Sequence, residues 1–272
     1  MAGQADFQFV GSGAEAYDRF LVTPLFEPMA EVLLDAIALA PGEAFLDVAC
    51  GPGVVARLGA RRVGAAGSVT ACDVSSEMIA VARAKPNEAG FPAIAYAQAA
   101  AAAMPFPAAS FDAVACQQGL QFFPNQVAAL TEMRRVVKVG GRLGVAVFRP
   151  SDGARLFTTL RDAGKRAGIV DADVFSRAVF AYGSFDDLQR DLEAADFRDV
   201  TVFERTVPVV FDSIDLALMA IRGTPFWPVI ALQGPDAIVA FEREARRALE
   251  HFATDGPVRV DQHSNIAIAK PK

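Results

Sequence analysis

Residues 45–57, FLDVACGPGVVAR, combine acidic and glycine residues in a spacing suited to ligand binding. An apolar run ends in a turn containing Gly51 and Gly53, and a helical pattern begins directly after it. Glycines let a backbone approach a ligand closely, and the amides at the start of a helix then face that ligand. Asp73 follows Gly53 by 20 residues, at the end of the next apolar run. A carboxylate there can accept both hydroxyls of a ribose, so the pattern predicts a nucleoside-binding turn.

The turn alone does not name the cofactor, because residues 51–56, GPGVVA, also satisfy the loose dinucleotide pattern GxGxxA. Asp47 argues against a dinucleotide, since a carboxylate so close to the turn would repel a pyrophosphate. A cofactor that carries positive charge and no phosphate, such as S-adenosylmethionine (SAM), tolerates or uses such an acid. The alternative role of Asp47, also compatible with SAM, is to order the loop by accepting backbone N–H groups.

Four ordered segments resemble the motifs of class I SAM-dependent methyltransferases: FLDVACGPG from residue 45, VTACDVSSEMI from 69, MPFPAASFDAVACQQGLQFFP from 104 and LTEMRRVVKVGGRLG from 130. The resemblance covers residues 45–148 and points to the small-molecule branch that includes ubiquinone and menaquinone methyltransferases. It implies SAM as cofactor and S-adenosylhomocysteine (SAH) as product, with Asp73 on the ribose and Gln117 at the methionine end. The predicted cofactor-binding residues are Asp47, Ala49, Gly51, Gly53, Asp73, Val74, Met78, Ala100, Ala101, Gln117 and Tyr17.

The alanine-rich residues 97–104 depart from the family pattern. Relatives usually carry an aspartate at the position of Ala100, where it accepts the adenine amino group. Backbone groups and Gln98 would have to replace that acid, or SAM binds more weakly by about 1.5–3 kcal/mol. We therefore expect SAM binding with reduced discrimination at the adenine.

Methyl transfer from a sulfonium is an in-line displacement, in which the enzyme aligns the nucleophile and excludes water. A general base is needed only when the acceptor is not already nucleophilic, and no motif indicates one. His251 and His263 are expected to be structural or surface residues. The sequence therefore assigns no catalytic residue.

Bulky side chains indicate the character of the acceptor. In the fold that the resemblance implies, an N-terminal helical cap (14–40) and an insertion (212–234) cover the open end of the sheet beside SAM. A further cap insertion is expected at about 151–183. The predicted substrate pocket consists of Phe20, Phe26, Gln118, Phe122, Phe226 and Trp227. Aromatic lining favours a small apolar or aromatic acceptor, whereas the alternative is that these rings belong to the core or to a dimer contact.

The elements that must position these residues follow from alternation. Short apolar runs alternate with helical patterns from 41 to 150, the expected SAM-binding core, which predicts an α/β fold with a parallel sheet covered on both faces. The resemblance implies a Rossmann-like seven-stranded sheet in the order 3-2-1-4-5-7-6 with the last strand antiparallel. Strands are predicted at 44–49, 68–72, 94–97, 111–116, 143–148, 200–211 and 258–269, with a turn at Gly140–Gly141 and helix breaks at Pro24 and Pro28. We expect one domain over residues 1–272 with helical cap insertions.

Composition narrows the remaining function classes. The 272 residues carry a net charge of −6, which favours neither nucleic acid nor an anionic membrane as a partner. The N-terminus lacks a signal-peptide pattern, and no apolar run approaches the roughly 18 residues of a membrane span, so a cytoplasmic protein is expected. Three cysteines are expected to be buried and reduced, and two histidines exclude a His-rich metal site.

Two alternative functions stay open at this point. The oligomeric state is open as well, and a homodimer is one of the states that the sequence allows. The chain can bind SAM for regulation or for a reaction other than methyl transfer, because Ala100 and the missing base weaken the enzyme hypothesis. It can also be an NAD(P)-dependent oxidoreductase, although Asp47 and the absence of a catalytic Tyr-x-x-x-Lys or His dyad argue against that class.

Overall fold

A seven-stranded sheet with the strand order β3-β2-β1-β4-β5-β7-β6 organises the computed structural model, which describes residues 13–150, 155–173, 179–224, 226–253 and 256–272. The strands are β1 (Ala44–Val48), β2 (Ser68–Asp73), β3 (Ile94–Gln98), β4 (Phe111–Gln117), β5 (Val137–Phe148), β6 (Phe197–Phe211) and β7 (Val258–Pro271). β7 is antiparallel, so the predicted sheet is confirmed in its order and direction.

Helices connect these strands. They are α1 (Gly13–Leu21), α2 (Glu27–Ala36), α3 (Val54–Val63), α4 (Ser76–Ala84), α5 (Gln126–Val136), α6 (Arg155–Arg166), α7 (Phe185–Ala194), α8 (Ile214–Arg222), α9 (Trp227–Ala231) and α10 (Pro235–Glu250). Residues 151–154 and 174–178 of the predicted insertion, and the N-terminus to residue 12, lie outside the described residues. Among the described residues, the longest and most apolar helices still fall short of what a membrane crossing requires.

The chain divides into two compact units. The first unit contains Met1–Pro28, Phe148–Ala181 and Thr206–His263, and the second contains Met29–Val147, Tyr182–Arg205 and Ser264–Lys272. The predicted cofactor residues from Asp47 to Gln117 all belong to the second unit. Tyr17 and four of the predicted pocket residues (Phe20, Phe26, Phe226 and Trp227) belong to the first.

The central strands of the second unit are apolar because helices cover both faces of a parallel sheet. Phe45 of β1 pairs with Val69 of β2 on one side and with Ala113 of β4 on the other. These strands are parallel, so their carboxyl ends meet at one edge of the sheet. Cys50, Cys72 and Cys116 near these ends are free and buried, as predicted. Burial raises the pKa of the Cys72 thiol to about 12, which keeps it protonated and unreactive at neutral pH.

Two local predictions were wrong. Gly140 and Gly141 do not form a turn between elements, because β5 runs through them as a bulge: Phe111 pairs with Val137, whereas Ala113 already pairs with Arg142. Gly140 has φ +81°, a left-handed conformation that glycine adopts without strain, so a glycine pair suits a bulge as well as a turn.

Pro24 and Pro28 do not break the N-terminal helical segment either. Pro24 lies in a π-helical turn, Val22–Phe26, that links α1 directly to α2, and Pro28 is the second residue of α2. The Glu27 N–H donates to the Val22 carbonyl across the join, so the helical backbone continues past Pro24 into α2. Pro208 fits its prediction, since it lies exposed in β6 at an edge of the sheet.

Candidate functional site

The glycine turn after β1 has one open and one closed side. Gly51 and Gly53 both adopt left-handed conformations, with φ of +51° and +81°. Among the described residues, no heavy atom lies within 4 Å of the position that a Cβ on Gly51 would take. A Cβ on Gly53 would lie 2.6 Å from the hydroxyl oxygen of Tyr96. The turn therefore offers room for a ligand at Gly51 and is backed by a side chain at Gly53.

Asp73, at the end of β2, fixes this turn through backbone hydrogen bonds. Its Oδ2 accepts from the Gly51 N–H at 2.8 Å, and its Oδ1 accepts from the Ser75 N–H at 2.9 Å. Ser75 in turn caps α4, as predicted, because its Oγ accepts from the Met78 N–H at 3.2 Å. A carboxylate has about four acceptor sites, so two backbone bonds leave capacity for ribose hydroxyls.

Asp47 lies inside β1 and is only 1% exposed. Its Oδ2 accepts from the Ala56 N–H in the first turn of α3, at 2.9 Å. Its Oδ1 is buried and has no hydrogen-bond partner among the described residues. The carboxyl group therefore ties the strand to the helix on the far side of the turn, which is the loop-ordering role considered as an alternative from the sequence.

The electrostatics of the turn favour a cationic ligand. Burial raises the pKa of Asp47 well above its usual value, and the nearby Asp73 raises it further. Burial also raises the pKa of Asp73, although that carboxyl accepts backbone N–H groups. Both shifts oppose ionisation, so the turn has more buried acid than nearby positive charge compensates. The ionised form of either carboxyl would be stabilised by a bound cation and would repel a pyrophosphate.

Two residues that the sequence patterns did not indicate support the closed side of the turn. Arg57, one turn into α3, donates from Nη1 to the Pro52 carbonyl at 2.6 Å. Tyr96 reaches Gly53 from β3, and burial raises the pKa of its phenol to about 12, so it stays protonated at neutral pH. The position of Arg57 one turn after Gly53 was visible in the sequence, but nothing local connects Tyr96 with a glycine 43 positions earlier.

Residues 45–141, which include this turn, match the family described as "Methyltransferase domain". This match identifies them as a methyltransferase domain, which makes up about a third of the chain. The matched residues all lie in the second unit of the fold.

Relatives and a solved structure agree with this assignment. The chain is 34% identical over 120 residues to nocamycin O-methyltransferase of Saccharothrix syringae, covering 44% of this chain and 43% of the relative. It is 42% identical over 109 residues to a ubiquinone/menaquinone biosynthesis C-methyltransferase of Xanthomonas campestris, covering 40% of this chain and 43% of the relative. The chain thus matches less than half the length of these curated relatives.

The fold is similar to the solved structure of a SAM-dependent methyltransferase from Aquifex aeolicus. The TM-score is 0.56 at 23% identity, over 74% of this chain and 94% of that one. At this identity the likeness shows the fold alone.

The segment predicted to contact the adenine contains no acid at Ala100. The Ala99 N–H donates to the Asp73 carbonyl at 2.9 Å, and the Ala103 N–H donates to the Ala100 carbonyl at 3.0 Å. The alanine run is therefore a hydrogen-bonded turn. Gln98 donates from Nε2 to the Val74 carbonyl at 3.0 Å, which commits its amide nitrogen and not its amide oxygen. Of the remaining residues predicted here, Val74 and Ala100 are exposed, Ala101 is half-buried and Met78 is buried.

The loop after β4 touches the loop after β1. Gln117 ends β4 and is buried, and Gly119 follows two residues later. A Cβ on Gly119 would lie 2.6 Å from the Cβ of Ala49, which directly precedes the glycine turn and itself has φ +56°. The close approach of Gly119 therefore brings the end of β4, where Gln117 is predicted to contact the methionine end of SAM, near the loop of the predicted cofactor residue Ala49.

The aromatic residues of the first unit form their own contacts. Tyr17 stacks on Phe26, with ring centroids 4.9 Å apart. A Cβ on Gly223 would lie 2.4 Å from the Tyr17 backbone nitrogen, so α1 and α8 pack backbone against backbone. Residues 14–28 of the predicted N-terminal cap and the predicted 212–234 insertion thus belong to the first unit, whereas residues 29–40 of that cap belong to the second.

The other predicted rings of the first unit differ in burial. Phe226 is buried and lies 5.9 Å from the Phe241 ring, between centroids. Trp227 is half-buried beneath the Arg222 guanidinium, and Phe20 is half-buried beneath that of Arg19, each at 5.1 Å from the ring centroid. In the second unit, Gln118 is buried and Phe122 half-buried.

Histidines and metal ligands supply no further site. His251 is exposed just after α10, and His263 Nδ1 lies 2.8 Å from Thr206 Oγ1. Across the described ranges, no group of three or more His, Cys, Asp or Glu side chains is arranged to hold a metal ion.

Proposed function

We propose that this chain binds SAM at the glycine turn of the second unit and transfers its methyl group to a small molecule. The observation that carries the proposal is the pair of carboxyls at the turn: the half-buried Asp73 accepts the Gly51 N–H beside the open side of that glycine, and the buried Asp47 accepts the Ala56 N–H. Burial raises the pKa of both groups, so the turn gains most from a ligand that brings positive charge. SAM brings two positive groups, a sulfonium and an ammonium.

The residues of the turn fit this cofactor in three respects. The empty space at Gly51 admits a ligand against the backbone, where a side chain would fill it. Asp73 retains acceptor capacity for the two ribose hydroxyls, and Val74 and Met78 follow it for the adenine. We assign Gln117 to the methionine end of SAM and Ala49 to the cofactor contacts, as the family resemblance implies. When bound, SAM supplies an electrophilic methyl group, and the chain's residues orient it and exclude water.

We further propose a small apolar or aromatic acceptor. Five of the six residues predicted to contact it carry aromatic rings, namely Phe20, Phe26, Phe122, Phe226 and Trp227. The names of the two relatives give an oxygen and a carbon as the methylated atom, so they support methyl transfer without choosing between these atoms. A homodimer and a cytoplasmic location stay predictions from the sequence.

Calorimetry with SAM, SAH and NAD⁺ tests the cofactor directly. We expect heat of binding with SAM and SAH and none with NAD⁺, followed by transfer of labelled methyl from SAM to at least one member of a panel of quinols, phenols and small acids. An absence of binding by both SAM and SAH would sink the proposal. Tight SAM binding with no transfer to any acceptor class would favour the alternative of a SAM-binding protein with another task.

The variant Asp47→Asn tests whether the buried charge of Asp47 contributes to SAM affinity. Asn keeps an oxygen for the Ala56 N–H but removes the buried charge. Because burial raises the pKa of Asp47, its carboxylate form, which attracts a cation, gains population as pH rises through that raised value. SAM affinity of the natural chain should therefore rise with pH, and the rise should be smaller in Asp47→Asn.

The unfolding free energy moves in the opposite direction to the SAM affinity. The folded chain holds the Asp47 proton more tightly than the unfolded chain, so stability falls as pH rises from the unfolded pKa toward the raised one. Asp47→Asn should lose this fall and be at least as stable at neutral pH. Asp186→Asn, at an exposed acid in the first turn of α7, is the matched control and should change neither property.

A further inference from the structure

The peptide between Pro52 and Gly53, in the middle of the glycine turn, is fixed by hydrogen bonds at both of its polar groups. The Gly53 N–H donates to the Cys50 carbonyl at 2.9 Å, and the Pro52 carbonyl accepts from Arg57 Nη1 at 2.6 Å. The bond from Arg57 is charge-assisted, and such hydrogen bonds are roughly twice as strong as those between neutral groups. The first turn of α3 thus reaches back and determines the direction of a carbonyl in the turn before it.

The backbone of this turn needs such a contact because of its two glycines. Pro52 lies between Gly51 and Gly53, which both adopt left-handed conformations, and glycine has access to more backbone conformations than any other residue. The local sequence therefore does not by itself fix the Pro52 carbonyl. Arg57 Nη1 also lies 3.3 Å from the position that a Cβ on Gly53 would take, so the guanidinium occupies the closed side of the turn. The side that is open at Gly51 is thus maintained by a contact on the closed side.

The same guanidinium acts on the buried acid behind the turn. Burial raises the pKa of Asp47 well above its usual value, and the charge of Asp73 raises it further. The hydrogen bond from the Ala56 N–H and the positive charge of Arg57 lower that pKa. Because Asp47 is only 1% exposed, water and salt screen a neighbouring charge weakly. Arg57 therefore favours the ionised form of Asp47, which is the form that attracts a cation.

The other titratable groups around Asp47 supply no positive charge. Besides the acid Asp73, they are three thiols and a phenol, those of Cys50, Cys72, Cys116 and Tyr96. Burial raises the pKa of all four groups, to about 12 for Cys72 and Tyr96, so they stay protonated and neutral at neutral pH. Among the described residues, Arg57 is thus the group whose positive charge offsets the buried acids of the turn.

We propose that Arg57 is a positioning residue for SAM, whose guanidinium acts from the closed side of the turn by fixing the Pro52–Gly53 peptide and by keeping Asp47 in its charged form. The inference rests on the proposed function and deepens it, since it names what controls cofactor affinity at the turn. A chain that populates the binding-competent turn less has an apparent affinity lower by the same fraction. Direct repulsion between Arg57 and SAM would act in the opposite direction, so the sign of the effect separates the two roles.

The experiment measures SAM affinity against pH by calorimetry on the full chain and on variants at position 57. Arg57→Met removes both the donor and the charge, so SAM should bind about tenfold more weakly at neutral pH, the effect of one charge-assisted hydrogen bond. The rise of SAM affinity with pH should also move to higher pH. This shift is expected because the pKa of Asp47 rises further when the positive charge is lost.

Two further variants separate geometry from charge. Arg57→Lys keeps the charge but not the planar fork of donors, so it should keep the natural pH dependence and restore the affinity only in part. Arg61→Met is the matched control one turn further along α3, since Arg61 forms an exposed ion pair with Glu88. It should change neither the affinity for SAM nor the pH dependence of that affinity.

The inference is wrong if Arg57→Met lowers Tm but binds SAM with the natural affinity and pH dependence, which is the result expected of a merely structural residue. Tighter SAM binding by Arg57→Met, or an equal loss in Arg61→Met, would also overturn it. If Arg57→Met does not fold, natural SAM affinity in Arg57→Lys would overturn the positioning role. SAM binding by the natural chain is measured first. Its failure would overturn the proposed function as well, whereas normal binding that is indifferent to position 57 would overturn only the role of Arg57.

Discussion

The glycine turn of the second unit and the aromatic rings of the first unit are held in place in different ways. We call those rings, Tyr17, Phe20, Phe26, Phe226 and Trp227, the aromatic cluster. The turn is fixed by specific hydrogen bonds, from Gly51 to Asp73 and from Ala56 to Asp47, and by left-handed glycines. The aromatic cluster is fixed by packing, as in the stacked rings of Tyr17 and Phe26. Hydrogen bonds and positive φ values demand particular residue types at particular spacings, whereas packing accepts many rings of suitable size. The sequence therefore indicates the ligand-binding role proposed for the turn, whereas it does not indicate whether the aromatic cluster binds a ligand or only packs.

The largest expected effect is at Phe226, which is 3% exposed and packs on Phe241. A substitution there tests whether packing stabilises the first unit independently of SAM binding in the second. Phe226→Ala should lower the free energy of unfolding by about 3–5 kcal/mol through loss of buried area and creation of a cavity, without changing SAM affinity. Urea denaturation and calorimetry measure the two quantities.

Two variants keep this prediction interpretable. Phe226→Leu, a milder change, should cost about 1–1.5 kcal/mol if Phe226→Ala does not fold. Phe185→Ala, at an exposed ring of α7, should have little effect. A stable Phe226→Ala that loses ligand binding would show that this ring acts on the ligand and not on the core.

The second effect concerns the acid of the turn. Asp73→Ala removes the acceptor of both the Gly51 and Ser75 N–H groups and the proposed ribose partner. SAM affinity should fall about 100-fold, equivalent to about 2.7 kcal/mol. Calorimetry against Asp186→Ala, an exposed acid at the start of α7, provides the reference. An affinity within threefold of the natural chain would contradict a role for Asp73 in the site.

The smallest effect tests whether the closed side of the turn, beside Tyr96, tolerates a side chain at position 53. Gly53→Ala combines a left-handed φ, worth about 1–2 kcal/mol, with a Cβ position 2.6 Å from the Tyr96 hydroxyl oxygen. Gly42→Ala is the matched control, since it has φ +85° but no heavy atom within 4 Å among the described residues. Both should lower Tm, and only Gly53→Ala should weaken SAM binding.

A double variant isolates the contact with Tyr96. Adding Tyr96→Phe to Gly53→Ala removes the crowding hydroxyl, so part of the SAM affinity should return. The same addition to Gly42→Ala should restore nothing. Equal losses of SAM affinity in the two single alanine variants would show that the Tyr96 contact is irrelevant.

Local rules were sufficient for much of the fold. The strands and the N-cap at Ser75 followed from apolar runs and glycine positions, because each depends on residues close in the chain, whereas the strand order came from the family resemblance. The bulge at Gly140 was missed because a glycine pair permits both a turn and a bulge, and pairing with β4 decides between them.

The candidate site likewise contains residues whose roles the sequence predicted and residues whose roles only the structure shows. The roles of Asp47 and Asp73 could be anticipated from their distance to Gly51, although their burial and raised pKa required the structure. The position of Tyr96 against Gly53 could not be anticipated, since this contact joins residues whose order along the chain carries no pattern. The division of the chain into two units likewise depends on distant contacts.

The contact between Gly53 and Tyr96 has an evolutionary consequence. A lineage that replaced Gly53 by a residue with a side chain would meet the Tyr96 hydroxyl at once, so position 53 can change only after position 96 has lost that hydroxyl, whereas position 96 can change on its own. Across homologues, a tyrosine at position 96 should coincide with glycine at 53, and other residues at 53 should coincide with a shorter side chain at 96. An alignment would then show the two positions as a covarying pair, 43 residues apart.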